Sequence, residues 1–299
     1  MPPITPLDQP LDVLLRRQAL DLDGCQLPSL PEWIGEISNL QSLSLYNNLL
    51  TGLPESLWQL RGLHVLNVAD NLLAELSPGI GNLVNLQMLD LGHNQLGVLP
   101  ESIGALVRLK FLYLSNNRLE LLPPALARLH NLVYLNATDN RLSALPAQLG
   151  DLLNLVELRL YNNQVSELPE SIGALARLRE LHLMKNELQT LPAAIGGLAD
   201  LRKLDLEDNR LETLPDSWSA LARLDTLNLR NNRLGTLPPS IGKLYSLRHL
   251  DLRANPLQDL PAALAALPQL EKLDLRWTRL SPLPSWLNDL ERRGCLVYT

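Results

Sequence analysis

Residues able to perform catalysis are few in this chain of 299 residues, and their spacing fits no catalytic motif. The chain has two cysteines, Cys25 and Cys295, and five histidines. Glycine-rich phosphate loops, paired-histidine metalloprotease motifs, zinc-binding cysteine clusters and kinase or hydrolase signatures are all missing. His182 and Asp205 are 23 residues apart, and we interpret them as a surface ion pair between neighbouring strands rather than half of a metal or acid–base site. The sequence therefore predicts no catalytic residue, no metal site, no cofactor and no enzyme activity.

The spacing of 23 residues is a property of the whole chain. One frame runs from Leu106 to Pro123 and reads L-x-x-L-x-x-L-x-L-x-x-N-x-L-x-x-L-P. Ten asparagines recur at its N position without an insertion or deletion: Asn48, Asn71, Asn94, Asn117, Asn140, Asn163, Asn186, Asn209, Asn232 and Asn255. Cys25 lies one period before the first and Thr278 one period after the last, which gives twelve frames. A fixed period of this length is typical of a solenoid, in which each repeat packs on its neighbours.

The repeated asparagine predicts a structural role inside the turn that follows each strand. A buried amide side chain can donate and accept hydrogen bonds at the same time, so it can satisfy backbone groups of its own coil and of an adjacent coil. We interpret the ten asparagines, together with Cys25, as one structural ladder. The alternative, that these side chains are ligands of a functional site, is disfavoured because burial accounts for all ten.

The frame resembles the leucine-rich repeat family, whose signature is L-x-x-L-x-L-x-x-(N or C)-x-L and which permits cysteine at the asparagine position. The tail L-P-x-x-I-G-x-L, found in residues 99–106, is similar to the intracellular Ras-group-related type and its bacterial relatives. The resemblance covers about residues 20–299. It implies an α/β fold: a right-handed horseshoe solenoid with a parallel β-sheet on the concave face and short α or 3-10 turns on the convex face.

We expect one elongated domain with a cap at each end. Residues 1–19 form the predicted N-terminal cap, and residues 20–284 form a solenoid of about twelve repeats of 23 residues. Residues 285–299 form the predicted C-terminal cap, which consists of a helix and a strand. The spacing of the frame predicts that Leu296 and Tyr298 of that strand point into the core.

Composition and charge limit the partners and the compartment. A net charge of −6 argues against a nucleic-acid surface. No run of apolar residues is long enough to span a membrane, and no signal-peptide-like segment opens the chain. The two cysteines are expected at opposite ends of the solenoid, too far apart for a disulfide, which favours a reducing, cytoplasmic setting. We expect a monomer that has neither a nucleic acid nor a membrane as its partner.

The frame also predicts which side chains face a protein partner. Strand residues alternate between core and solvent, so the third, fifth and seventh positions of each frame point to the concave face. Aromatic and apolar side chains gather there, including Phe111, the only phenylalanine. The predicted partner-binding residues are Tyr46, Val65, Met88, Phe111, Tyr113, Tyr134, Arg159, Tyr161, His182 and Met184. Exposed apolar clusters mark interfaces. The alternative is that aromatic side chains simply suit strands and pack across them.

Charge is distributed unevenly between the two halves of the chain. Residues 1–150 have a net charge of −5, whereas residues 151–299 have a net charge of −1. The concave positions of the second half alternate in charge: Asp205, Arg230, Asp251, Arg253, Asp274 and Arg276. We interpret these residues mainly as ion pairs between neighbouring strands, with a polar surface that steers a partner as the alternative.

These observations predict a non-enzymatic protein–protein interaction scaffold or adaptor that binds a protein partner on its concave face. The family resemblance implies a role in intracellular signalling. One alternative is a bacterial effector that uses the same face against a host protein after export by a dedicated secretion system. Another is the substrate-recognition part of a larger kinase or ubiquitin ligase.

Overall fold

The computed structural model describes Leu7 and residues 9–299, and the chain divides into two compact units after Leu142. Of the predicted N-terminal cap, residues 1–6 and Asp8 lie outside the described residues. The described part of this cap contains one short helix, α1 (Leu11–Leu14), whose Leu14 is buried.

The first unit contains a sheet of six short parallel strands. These are β1 (Ala19–Asp21), β2 (Ser42–Ser44), β3 (Val65–Asn67), β4 (Met88–Asp90), β5 (Phe111–Tyr113) and β6 (Tyr134–Asn136). Each strand pairs with the next one in chain order, in a register that places Leu66 beside Leu89 and Leu89 beside Leu112. Five 3-10 turns lie between them: Glu32–Glu36, Glu55–Gln59, Pro78–Asn82, Glu101–Ala105 and Pro124–Arg128.

The second unit repeats this arrangement and ends in a helix and a final strand. Its strands are β7 (Glu157–Arg159), β8 (Glu180–His182), β9 (Lys203–Asp205), β10 (Thr226–Asn228), β11 (His249–Asp251), β12 (Lys272–Asp274) and β13 (Leu296–Tyr298). Its 3-10 turns are Leu149–Asp151, Glu170–Ala174, Ala193–Gly197, Asp216–Ala220, Pro239–Lys243 and Ala262–Ala266. Helix α2 (Leu287–Arg292) precedes β13. Parallel strands with short 3-10 turns in both units confirm the predicted leucine-rich repeat fold.

The core of each unit is a stack of leucines that the repeat supplies at fixed positions. Leu112 and Leu114 of one strand segment and Ile103 of the preceding turn are all fully buried. Pro100 begins that turn in an extended conformation, which suits its fixed φ. A Cβ atom on Gly104 would lie 2.5 Å from the carbonyl oxygen of Ala125, so the recurring I-G step lets successive coils approach closely.

The residue before each ladder position has a left-handed backbone, from Gly24 (φ 65°) to Trp277 (φ 62°). Asparagine and aspartate tolerate this conformation better than other residues with a side chain, and they occupy most of these positions. Lys185 and Ala254 are exceptions in the second unit, with φ of 54° and 53°. The turn after each strand is therefore defined by backbone conformation as well as by the asparagine that follows.

The prediction that Leu296 and Tyr298 point into the core is wrong. Strand β13 pairs with β12 in a register that places Leu296 beside Lys272 and Val297 beside Leu273. Leu296 is therefore on the same side as the charged residues, and it is 59% exposed. Helix α2 replaces the usual 3-10 turn and the spacing becomes 24 residues, and a shift of one residue moves every side chain of a strand to the other face.

Candidate protein-binding surface

Parallel pairing in the first unit brings four predicted partner-binding residues into one row. The row lies on the open face of the sheet, by which we mean the side away from the leucine core. The register places Val65 beside Met88, Met88 beside Phe111, and Phe111 beside Tyr134. Phe111 is 39% exposed, and the rings of Tyr113 and Tyr134 pack with their centroids 5.1 Å apart. We call these four residues, together with Tyr113, the aromatic row. Within it, Tyr113 and Tyr134 pack on each other and Phe111 exposes apolar surface.

A groove beside the aromatic row accounts for the position of Tyr46. The groove has a volume of about 480 Å³, and its lining includes both Tyr46 and Tyr113. The other lining residues are Asp23, Asn67, Ala69, Asp70, Asp90, Gly92, His93 and Ser115. Tyr46 is 43% exposed, so its ring remains accessible. We call this feature the tyrosine groove. Six of the ten predicted binding residues thus lie in the aromatic row or the tyrosine groove of the first unit.

The carboxylates of the tyrosine groove lack basic partners within the described part of the chain. Asp23 Oδ1 accepts a hydrogen bond from the Tyr46 backbone N–H at 2.9 Å, and Asp90 Oδ1 accepts one from the Gly92 N–H at 2.9 Å. Neither these carboxylates nor that of Asp70 forms an ion pair within 4.0 Å with a lysine, arginine or histidine of the described residues. Burial raises the pKa of the Asp90 carboxyl, against the opposing effects of the Gly92 hydrogen bond and of His93. The groove therefore presents unpaired negative charge beside aromatic rings.

The repeat frame does not predict the acidic lining of this groove. Asp23 and Asp90 were visible as outward strand positions, but Asp70 and His93 belong to the left-handed turn positions that the frame does not single out. The available signal was the net charge of −5 in residues 1–150, which indicated an acidic half without locating the charge.

The remaining four predicted binding residues lie in the second unit, where charged partners surround them. Arg159, Tyr161 and Met184 are half-buried, whereas His182 is only 8% exposed. His182 Nε2 lies 3.0 Å from a carboxylate oxygen of Glu180 on the same strand. The predicted ion pair between His182 and Asp205 is therefore wrong, although the register does place them side by side. His182 is a buried member of a polar network rather than an exposed contact residue.

Three side chains of this network are close enough to hold a metal ion. Ligand atoms of Glu157, Glu180 and His182 all lie within 4.8 Å of one another. Each already has a partner, because Arg159 Nε lies 2.5 Å from Glu157 and His182 bonds to Glu180. The two glutamates occupy neighbouring strands at the same position, where like charges repel, and the basic groups offset that repulsion. We interpret the cluster as an ion-pair network.

Further along the second unit, arginines neutralise Glu207 and Asp251 of the open face. Asp205 has no arginine partner within 4.0 Å among the described residues, and it accepts a hydrogen bond from Asn228 Nδ2 at 3.0 Å. Arg253 Nη2 lies 2.5 Å from Asp251 of its own strand segment, and Arg230 Nη1 lies 3.2 Å from Glu207 of the neighbouring coil. The sequence predicted pairing between neighbouring strands only. Residues two apart on one strand also share a face, so both kinds of pair form.

Asp274 is the most buried charge of this surface, at 0% exposed. Its carboxylate lies 2.6 Å from Arg276 Nη2 and 3.5 Å from Arg253 Nε. Burial opposes ionisation, but the hydrogen bonds and charges of these arginines outweigh it and lower the pKa of Asp274 below its usual value. Arg276 also stacks near the rings of Trp277 and Tyr298, at 5.6 and 5.2 Å from the ring centroids. Ion pairs and cation–π contacts thus join the side chains of the last strands of the sheet.

The structure places the ladder asparagines where their amides are fully engaged by backbone groups. Asn117 Nδ2 donates to the carbonyl oxygens of Leu91, Leu114 and Ser115 at 2.9, 3.1 and 3.3 Å, and its Oδ1 accepts from the Leu96 N–H at 3.0 Å. One side chain thus connects two coils, and it is buried away from a partner.

Cys25 makes a weaker contact at the equivalent position. Its Sγ lies 3.6 Å from the carbonyl oxygen of Asp23. Burial, with added repulsion from Asp21 and Asp23, raises the pKa of this thiol. A raised pKa reduces the thiolate fraction, so the site does not activate Cys25 as a nucleophile.

Comparison with known families identifies the repeat along most of the chain. Family profiles described as "Leucine rich repeat" match residues 153–211, 176–234 and 222–280, and one described as "Leucine Rich Repeat" matches residues 39–60. A "Leucine-rich repeat region" profile matches residues 75–165. A comparison with curated protein sequences found no match. Within the described residues, no helix has the length and apolar character needed to cross a membrane.

Solved structures include similar proteins from bacteria and plants. A leucine-rich repeat protein of Leptospira interrogans is 31% identical, with a TM-score of 0.69, over 94% of this chain and 84% of that one. The ectodomain of the Arabidopsis thaliana receptor kinase GASSHO1/SCHENGEN3 is 30% identical, with a TM-score of 0.78, over 94% of this chain but only 38% of its own length. An internalin of Listeria monocytogenes, at 21% identity and a TM-score of 0.71, shares the fold. With profile matches over most of its length and a bacterial relative at this identity, the chain belongs to the leucine-rich repeat family.

Proposed function

We propose that this chain is a non-enzymatic interaction scaffold that binds a protein partner through the open face of its first unit. The observation that carries the proposal is the aromatic row, in which Phe111 exposes 39% of its surface although the core uses leucine and isoleucine. The packing of the scaffold does not require an aromatic residue at that position. Aromatic side chains supply large contact area at low entropic cost, and they are frequent among the residues that dominate binding energy.

The relatives support binding as the general role. The Arabidopsis receptor ectodomain was solved in complex with CASPARIAN STRIP INTEGRITY FACTOR 2, and the plant receptor RGFR1, 28% identical to this chain, in complex with RGF2. This chain spans 38% and 51% of the lengths of those two proteins, so their partners belong to longer molecules. The proposal takes from these relatives only that a surface formed by the repeats binds another polypeptide.

The proposed setting is intracellular signalling, in line with the type of repeat that the I-G-x-L tail resembles. Cys25 and Cys295 are both free thiols, which fits a reducing compartment. The alternative setting is a host cell, into which a bacterium exports the protein and in which the same face binds a host protein. Affinity capture from lysates of both the source organism and a host can distinguish the two settings.

The test is affinity capture with wild-type protein and with a triple variant, Phe111→Asp, Tyr113→Asp and Tyr134→Asp. We expect a specific partner to bind the wild type and to be lost with the variant, because three carboxylates would replace the apolar surface of the aromatic row. Circular dichroism and urea unfolding would establish that the variant folds.

A matched control removes an exposed aromatic side chain elsewhere. Tyr245 is exposed and lies in the second unit outside the strands, so Tyr245→Asp should leave capture of the same partner unchanged. A partner that binds the folded triple variant as well as the wild type would contradict the proposal and direct attention to the charged surface of the second unit.

A further inference from the structure

The open faces of the two units differ in whether their acidic side chains have arginine partners. In the second unit, Glu157, Glu207, Asp251 and Asp274 each have an arginine nitrogen within 3.2 Å. In the first unit, the three aspartates that line the tyrosine groove have no such partner within 4.0 Å among the described residues. Among the described residues, the aspartates of the tyrosine groove thus lack the arginine partners that these four carboxylates of the second unit have.

We propose that the tyrosine groove receives an arginine side chain of the partner, which supplies the counter-charge that this unit lacks. The inference rests on the proposed function, and it specifies the partner further: the segment that contacts the first unit is a basic stretch of polypeptide. The argument for this occupant is charge complementarity, because the groove lining contains three aspartates and no lysine or arginine.

The geometry favours arginine over other cations. Tyr46 and Tyr113 line the same groove, and a planar guanidinium can stack on tyrosine rings while its N–H groups donate to carboxylates. The carboxylate of Asp70 accepts no hydrogen bond from another described residue, and only one oxygen of Asp90 is engaged by a backbone N–H. Both side chains therefore retain acceptor capacity toward the groove.

The groove is large enough to receive a side chain. Its volume of about 480 Å³ is within the range of roughly 300–1,000 Å³ found for small-molecule sites. Ala69 and Gly92 occupy the seventh position of their frames, where the preceding frame has Tyr46. The space of the groove therefore arises because two successive frames have a small residue at this position. Partial burial of Asp90 also strengthens its attraction for a cation relative to a carboxylate in open water.

The test measures binding of short synthetic peptides to the full chain by fluorescence anisotropy in about 0.1 M salt, where the Debye length is about 10 Å. The probes alternate glycine with arginine, lysine or glutamate. The groove variant is Asp70→Asn with Asp90→Asn, in which asparagine keeps the acceptor for the Gly92 N–H and tolerates the left-handed backbone of Asp70. The control variant is Asp208→Asn with Asp259→Asn, which removes the same charge from the second unit.

We expect saturable binding of the arginine peptide, weaker binding of the lysine peptide and no binding of the glutamate peptide. The groove variant should lower the affinity for the arginine peptide at least about tenfold, while the control variant changes it less than about twofold. Three results would overturn the inference: no saturable binding of the arginine peptide, equal losses in the two variants, or equal binding of the glutamate peptide.

The two proposals can fail separately. If capture of a partner depends on the aromatic row but the arginine peptide does not bind, the scaffold function stands and the groove inference fails. If the arginine peptide binds in the groove but no captured partner depends on the aromatic row, the groove inference stands and the aromatic row is structural.

Discussion

The two units of this protein have the same interior and different open faces. In both, leucines fill the core and asparagines connect successive coils through the same set of hydrogen bonds. Among the described residues, the first unit presents exposed aromatic rings and groove aspartates without a lysine or arginine partner, whereas the second presents carboxylates such as Asp251 and Asp274 paired with arginines. The residues that define the repeat can thus stay the same while the residues that face solvent change. The proposed binding surface lies where the solvent-facing carboxylates have no arginine partner on the same face.

The largest expected effect tests the shared interior. Asn117→Ala in the first unit and Asn209→Ala in the second should each lower the free energy of unfolding by about 3 kcal/mol, because each strands several buried backbone groups. Urea unfolding would measure both. The comparison predicts nearly equal losses, and a loss below about 0.5 kcal/mol in either unit would contradict the structural role of the ladder.

The sequence predicts the part of the structure that the repeat defines, and it does not predict how the solvent-facing side chains pair. The spacing of Asn48 to Asn255 determines the strands, the turns and the row that joins Val65, Met88, Phe111 and Tyr134, because parallel strands with a constant period must align equivalent positions. This part of the fold needs only the period. The proposed aromatic row could therefore be read from the sequence.

The rest could not be predicted, because it depends on side-chain choices that the period leaves open. His182 has an acidic neighbour both on its own strand and on the next one, and it bonds to Glu180 rather than to Asp205. The groove arises from small residues combined with turn residues such as Asp70, whose direction depends on a left-handed backbone. The final strand departs from the period, so Leu296 faces outward.

A smaller effect sharpens the contrast between the open faces. Asp274→Asn should destabilise the protein by about 2 kcal/mol, because the charges of Arg253 and Arg276 would lose their buried partner. The loss falls short of that for a fully buried pair, since the side chain of Arg276 is 40% exposed. In the first unit, Asp90→Asn should change stability by less than about 0.5 kcal/mol. Urea unfolding of both variants at pH 7 would check this, and equal losses would contradict the assignment of paired and unpaired faces.

The pH dependence of the same two variants should have opposite signs. The pKa of Asp274 is lowered in the folded protein, so its ionised form contributes stability above the unfolded value of about 3.9, and this contribution is lost on acidification. The pKa of Asp90 is raised by burial, so its neutral form contributes stability at low pH, which is lost as the pH rises through the folded value.

Unfolding experiments between pH 7 and about pH 3 would show this contrast. The deficit of Asp274→Asn relative to wild type should shrink as the pH falls. Asp90→Asn should be slightly more stable than wild type at pH 7 and lose that advantage at low pH. The same sign for both variants would show that the two carboxylates have similar environments.

The smallest effect concerns the left-handed turns, where the two units also differ. Ala254 has φ of 53° in the second unit, whereas the first unit has Asn116 at the equivalent position with φ of 55°. A left-handed conformation costs an alanine about 1–2 kcal/mol, and a glycine at the same position avoids this cost. Part of the resulting gain in stability is offset, because glycine loses more chain entropy on folding. Ala254→Gly should therefore stabilise the protein by about 0.5 kcal/mol, while Asn116→Gly should produce no gain, because asparagine already tolerates this backbone. Thermal unfolding of the two variants side by side would measure the difference, and a gain from Asn116→Gly as large as that from Ala254→Gly would mean that the turns of both units carry the same strain.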